Sequence, residues 1–188
     1  MAIAWGFLFP SGAFISLGWR SRLANGKWLA MHSATQVFGL VLTLAGLAVA
    51  VTMVETGVHF TEPHHIVGLV LIILACLQPL NALARGKPAA ATGGVRTTRR
   101  AVWEITHKSV GYSMIGASVY QAFSGSKDMA DDPHGGRWLL ILFLALLGLS
   151  LGFLVAGITT RRKPAAENSM DRGVHGKSET GSSTQSAA

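Results

Sequence analysis

Three histidines of this 188-residue chain stand inside or at the edge of long apolar runs, where an imidazole is out of place. His32 lies about one turn into the run 27–54, KWLAMHSATQVFGLVLTLAGLAVAVTMV. His107 lies within VWEITHKSVGYSMIGASVYQAF, and His64 opens HHIVGLVLIILACLQPLNAL. A titratable ring in such surroundings is costly unless something claims it. Each of the three has glycine on much the same helical face: Gly39 seven residues after His32 and Gly46 seven further, Gly68 four after His64, Gly111 four after His107. Residues at i and i+4 lie side by side on a helix, so a glycine there leaves room for a flat group lying along it. Taken singly, these glycines read as small residues that let helices pack closely. Together, with His32 and His107 at matched depth, they point to haem, the two imidazoles filling the axial positions of one iron.

The elements that must position these rings are apolar throughout. The chain is 49% hydrophobic and only 13% charged, whereas a soluble domain is about a quarter charged, so the composition is that of a membrane protein. The net charge of +7 comes from Lys and Arg in short runs between apolar blocks. That is the pattern that orients membrane spans rather than one that follows phosphates, and it excludes nucleic acid as a partner. Cys76 stands alone in an apolar block, so there is no disulfide framework and it reads as a small core residue.

Five apolar blocks give spans at about 1–17, 29–54, 64–84, 102–123 and 138–159. The expected fold class is therefore all-α, a polytopic membrane bundle of five helices, four of which form a haem-binding core. The fourth span is the weakest, carrying Glu104, His107 and Lys108, and the fifth contains no ionisable side chain. The first block has neither the basic n-region nor the cleavage site of a signal peptide, and is barely long enough to span. The connections alternate in charge: Arg20, Arg22 and Lys27; then Glu55 and Glu62; then Arg85, Lys87, Arg96, Arg99 and Arg100; then Asp128, Asp131 and Asp132 against Lys127; then Arg161, Arg162 and Lys163. Lys and Arg mark the cytoplasmic face, so the N-terminus is expected outside (external or lumenal) and the C-terminus in the cytosol. His32 and His107 then lie near the cytoplasmic face, and His64, His65, His59 and His134 near the other. The stretch 161–188 reads as a disordered cytosolic tail with His175 solvated within it.

The runs MAIAWGFLFPSGAF, HSATQ, HHIVGLVLIILACLQP and WEITHKSVGYSMIG together resemble the cytochrome b561 family, and most closely the membrane domain that often follows an extracellular DOMON domain. The resemblance covers about 1–123; the last span agrees in character only. It implies two b-type haems held by four histidines, and electron transfer across the membrane from a cytosolic reductant such as ascorbate to ferric iron, monodehydroascorbate or an attached redox domain, an oxidoreductase activity. It implies His32 and His107 as ligands of the cytoplasmic haem and His64, with His65 as its substitute, as one ligand of the outer haem. In the family a further histidine precedes the AWG motif. Here Ala4-Trp5-Gly6 follows Met1, Ala2 and Ile3 directly, so the fourth ligand is missing and an N-terminal truncation is expected. The resemblance further implies an anionic donor bound near Arg99, Arg100 and Lys108, and an extracellular DOMON-type domain or a second protomer as partner beside membrane lipid. Topology alone also accounts for the basic segment 85–100. Gln36, one turn from His32, either orients groups near the haem or bonds a neighbouring helix. Two other readings stand beside this one: a haem-free membrane scaffold or assembly protein, and a small transporter with polar residues lining its path.

Overall fold

A computed structural model describes residues 1–53, 62–86, 93–128 and 135–159. Among the described residues every regular element is helical. The expectations for His59, His134, His175 and the tail 161–188 lie outside them.

The first helix, α1, is a continuous run of three segments: π-helical Ala4–Leu8, α-helical Phe9–Phe14 and π-helical Ile15–Trp19. Pro10 accounts for the first wide turn. Proline cannot donate to the carbonyl one turn back and its ring crowds that turn, so the backbone widens just ahead of it. A tight turn at Asn25 (φ 56°) and Gly26 (φ 73°) reverses the chain, using the two residue types that tolerate the left-handed region best. Then follow α2 (Lys27–Met53), α3 (Pro63–Leu83), α4 (Thr98–Asp128) and α5 (Gly135–Thr159). Pro63 stands in the first turn of α3, where its missing N–H costs nothing.

The short α1 is the axis of the bundle, touching α2 on one side and α5 on the other and meeting α4 as well. Helix α3 packs on α4, and α4 on α5, while α2 and α3 touch only sparingly. The core is correspondingly small: Ala4, Trp5 and Phe9 of α1 meet Leu71 and Ala75 of α3, Met114 of α4 and Phe143 of α5. Trp5 and Phe9 contact edge-on, with centroids 4.7 Å apart. Glycines bring α1 and α5 together: a Cβ at Gly6 would lie 3.0 Å from the Phe143 carbonyl oxygen, and one at Gly157 2.6 Å from the Trp19 indole nitrogen. Between helices in lipid such close approach, rather than release of water, supplies the attraction.

The outside of the bundle is apolar. Val37, Phe38 and Val41 of α2, Ile73 and Leu77 of α3, Val119 and Phe123 of α4 and Leu144, Leu149 and Val155 of α5 are all exposed. A soluble protein does not leave so much apolar surface bare. Helices α2, α3 and α5 are each long and apolar enough to cross a membrane, and the molecule is an integral membrane protein. Against the expected five spans, there are five helices among the described residues, of which these three satisfy length and composition together.

Candidate functional site: two histidine cavities in the gap between α2 and α3

Because α2 and α3 barely touch, the bundle keeps internal space at both ends. At the end shared by the C-terminus of α1, the start of α2, the end of α3 and the start of α4, His32 and His107 face one another with ring centroids 6.3 Å apart and planes at 74°. They line a cavity of about 230 Å³, together with Phe9, Gln78, Arg85, Trp103 and Gly111. An imidazole nitrogen sits about 2.0–2.1 Å from a bound metal and the ring centre about 1 Å beyond, so two imidazoles sharing one metal place their centroids about 6 Å apart. The observed pair has that spacing.

His32 is held by its other nitrogen. Nδ1 lies 2.7 Å from the carbonyl oxygen of Gly12. A carbonyl only accepts, so Nδ1 carries the hydrogen and Nε2 keeps its lone pair, the form in which an imidazole binds metal. Such a bond also fixes the ring and raises its basicity. Gly12 is suited to the position, since a Cβ there would collide with Gln36 Nε2 and Thr35 Oγ1. One turn further along α2, Gln36 donates through Nε2 to the Phe9 carbonyl at 3.0 Å. Two α1 carbonyls three residues apart thus receive two α2 side chains four residues apart.

His107 is held differently. Its Nδ1 is buried without a hydrogen-bond partner, and its ring lies flat on Trp103 (centroids 5.0 Å, planes 12° apart). The Trp103 indole N–H donates to the Asn81 carbonyl at 2.7 Å, and the guanidinium carbons of Arg85 and Arg100 each lie 5.5 Å from the indole centre. Arg85 Nε is buried and unpaired, as is Gln78 Oε1. Desolvation, followed by the nearby Arg100 and Arg20, pulls the Arg85 guanidinium below the ordinary arginine value.

The opposite end holds a second, larger cavity of about 510 Å³, lined among others by Trp5, Gly46, His64, His65, Gly68 and Gln121. His64 Nδ1 is 2.8 Å from Ser124 Oγ, and its ring fits against Gly125, where a Cβ would lie 2.7 Å from Cε1. The His64 and His65 rings are 5.9 Å apart, and His65 Nδ1 is buried without a hydrogen-bond partner. Among the described residues no group of three or more His, Cys, Asp or Glu gathers as a metal site; His32 and His107 are two facing rings.

Comparison with known proteins identifies the family. The chain is 34% identical over 132 residues, 70% of its length, to a cytochrome b561, DM13 and DOMON domain-containing protein of Arabidopsis thaliana. It is 31% identical over 199 residues, 99% of its length, to a cytochrome b561 and DOMON domain-containing protein of the same plant, and 27% identical over 176 residues, 91% of its length, to another of that description. The chain is a membrane domain of the cytochrome b561 family. It spans only 14%, 47% and 41% of the lengths of these three relatives. No family model and no solved structure matches it.

Not every residue singled out in the sequence lies where this b561 domain would use it on a cofactor. His32, His107, Gln36 and Gly111 share the smaller cavity, and the space beside Gly111 is open, with nothing within 4 Å of a Cβ built there. Gly39 lies against the Phe9 ring, 3.0 Å from a built Cβ, and serves the α1–α2 contact. Gly68 borders the larger cavity, but a Cβ there would first meet Gln121 Nε2 at 2.6 Å. Gln36 takes the helix-bonding role of its two readings. Lys108 pairs with Glu104, which also holds Arg96 at 3.0 Å, and Arg99 Nε donates to the Ala84 carbonyl. Arg100 Nη1 donates to the Gly86 carbonyl at 2.9 Å. Gly12 and Trp103 were missed, and Arg85 was read only as part of the basic segment 85–100. Trp103, four residues before His107, was open to the same i+4 argument applied to glycine; Gly12 and Arg85 carry no such signal, because their places depend on how α1 and α3 are turned.

Proposed function

We propose that this domain carries electrons across a membrane through b-type haem, with His32 and His107 as axial ligands near the cytoplasmic face and His64 as a ligand near the other. The single observation behind the reading is the His32–His107 pair: two imidazoles at ligand spacing, one with its tautomer set by Gly12, beside the open space at Gly111. Bound haem would supply a one-electron couple, and two histidine ligands leave no open iron position for oxygen chemistry. The chain's own part is placement. His32 is fixed by α1 and His107 by the Trp103 face.

Five spans, an external N-terminus and a cytosolic C-terminus belong to the same proposal, supported by the basic residues gathered at the His32 end. The donor is a cytosolic reductant of the ascorbate class. The acceptor is ferric iron, monodehydroascorbate or a DOMON-type domain, the last suggested by the names of the relatives. Of the cations proposed for an anionic donor, Lys108 borders the cavity but is held by Glu104, while Arg99 and Arg100 bond backbone carbonyls; Arg85, not among them, also borders the cavity.

The test is a reduced-minus-oxidised absorption spectrum of the purified protein, expected to show b-type haem bands. Absence of those bands overturns the reading in favour of a haem-free scaffold or transporter. Where bands appear, His32→Ala and His107→Ala should each abolish the same component; loss of different components refutes the pairing.

A further inference from the structure

We infer that Trp103, with Arg85 and Arg100 laid against it, sets the reduction potential of the haem proposed for the His32–His107 site; the inference rests on that reading. The two rings are treated unequally. His32 gives its Nδ1 hydrogen to a carbonyl, which makes the ring a stronger donor to iron and favours the oxidised form. His107 has no such bond, its Nδ1 being buried and unpartnered. Its flat face instead rests on an indole that two guanidiniums flank.

The charge in this stack is only partly offset, Glu104 acting on Arg85 as the last of its neighbours. Glu104, the carboxylate beside it, is taken up by Arg96 and Lys108. Arg85 and Arg100 are bound through aromatic contacts and, for Arg100, the Gly86 carbonyl. Arg20, which adds to the positive field at Arg85, lies over Trp28 at 4.9 Å. Positive charge held near a haem favours the form with the extra electron. In a partly buried setting one unit charge roughly 10 Å away changes the reduced-to-oxidised ratio about tenfold. Trp103 is the positioning element, because a guanidinium rests best on an aromatic face and the Asn81 bond fixes that face against His107. Without the indole Arg85 is free to reach solvent, where water screens it, and Arg100 keeps only the Gly86 carbonyl.

Spectroelectrochemical titration of the purified, haem-loaded protein tests this. Arg85→Gln and Arg100→Gln should each lower the reduced-to-oxidised ratio at fixed potential about tenfold, a fall of about 59 mV for one electron. Trp103→Leu should lower it at least as far, while Trp103→Phe, which keeps a ring to stack on, should stay within about twofold of the parent. Low-spin bands of unchanged intensity in the same samples show that the His32–His107 ligation survives. Potentials that move less than twofold in both arginine variants overturn the inference and leave the haem reading intact. A Trp103→Phe protein that falls as far as Trp103→Leu also overturns it, since the Asn81 bond and not the stack would then control the site. Absence of haem bands from the parent protein removes both readings.

Discussion

At the scale of single residues, the site is decided by what faces each missing Cβ. Gly39 and Gly111 look alike in sequence, both on the face of a half-buried histidine, yet one meets the Phe9 ring and the other meets open space. The two should therefore respond oppositely to substitution. Gly111→Leu has room in the folded protein, so helicity and thermal midpoint by circular dichroism are expected to hold while the space beside His107 fills and the haem bands disappear. Gly39→Ala presses on Phe9 and should destabilise the bundle by about 1–3 kcal/mol, the usual cost of overpacking, with the bands retained. The reverse pattern would place the cofactor on the Gly39 face. The sequence identified His32 and His107 as partners because burial and depth are properties of the pattern itself. It did not separate the two glycines, because helix rotation depends on neighbours that periodicity does not name.

Among the elements, α1 does the most with the least length. Its wide turns and small residues let it sit between α2 and α5, presenting the Phe9 and Gly12 carbonyls to α2 and Trp19 to α5, where the indole N–H donates to the Phe153 carbonyl at 3.3 Å and stacks on the Phe153 ring at 4.8 Å. The apolar run at the start of the chain was legible as a helix; its central position was not, since a short first block gives no sign of being enclosed. The two seams of α1 serve different ends, because α5 contributes no residue to the lining of the His32–His107 cavity. Gly157→Ala, which drives a methyl into the Trp19 indole, should lower the thermal midpoint in detergent by loss of the α1–α5 contact, at a cost of about 1–3 kcal/mol. The His32–His107 haem spectrum should be unchanged. A spectrum lost together with the midpoint would mean that α5 supports the site through α1.

For the whole molecule, most of the described basic residues are gathered at one end, with Lys127 and Arg137 at the other. Arg20, Arg22, Arg85, Arg96, Arg99 and Arg100 all lie with His32 and His107, where Trp19, Trp28 and Trp103 hold four of these guanidiniums over their rings at 4.9–5.5 Å. Arginines over tryptophans at one level are what a membrane–water boundary selects, and in the proposed orientation that boundary is the cytoplasmic one. The alternation of charge along the chain predicts this orientation without any packing, because it requires only an order of loops. The orientation is tested by labelling with a membrane-impermeant maleimide after Cys76→Ser removes the native thiol. Glu62→Cys, exposed at the start of α3, should react in intact cells or right-side-out vesicles. Val95→Cys, 67% exposed ahead of α4, should react only after permeabilisation. Labelling of Val95→Cys from outside, with Glu62→Cys protected, would invert the bundle. The His32–His107 site would then face the external side, and its donor would have to be an extracellular reductant.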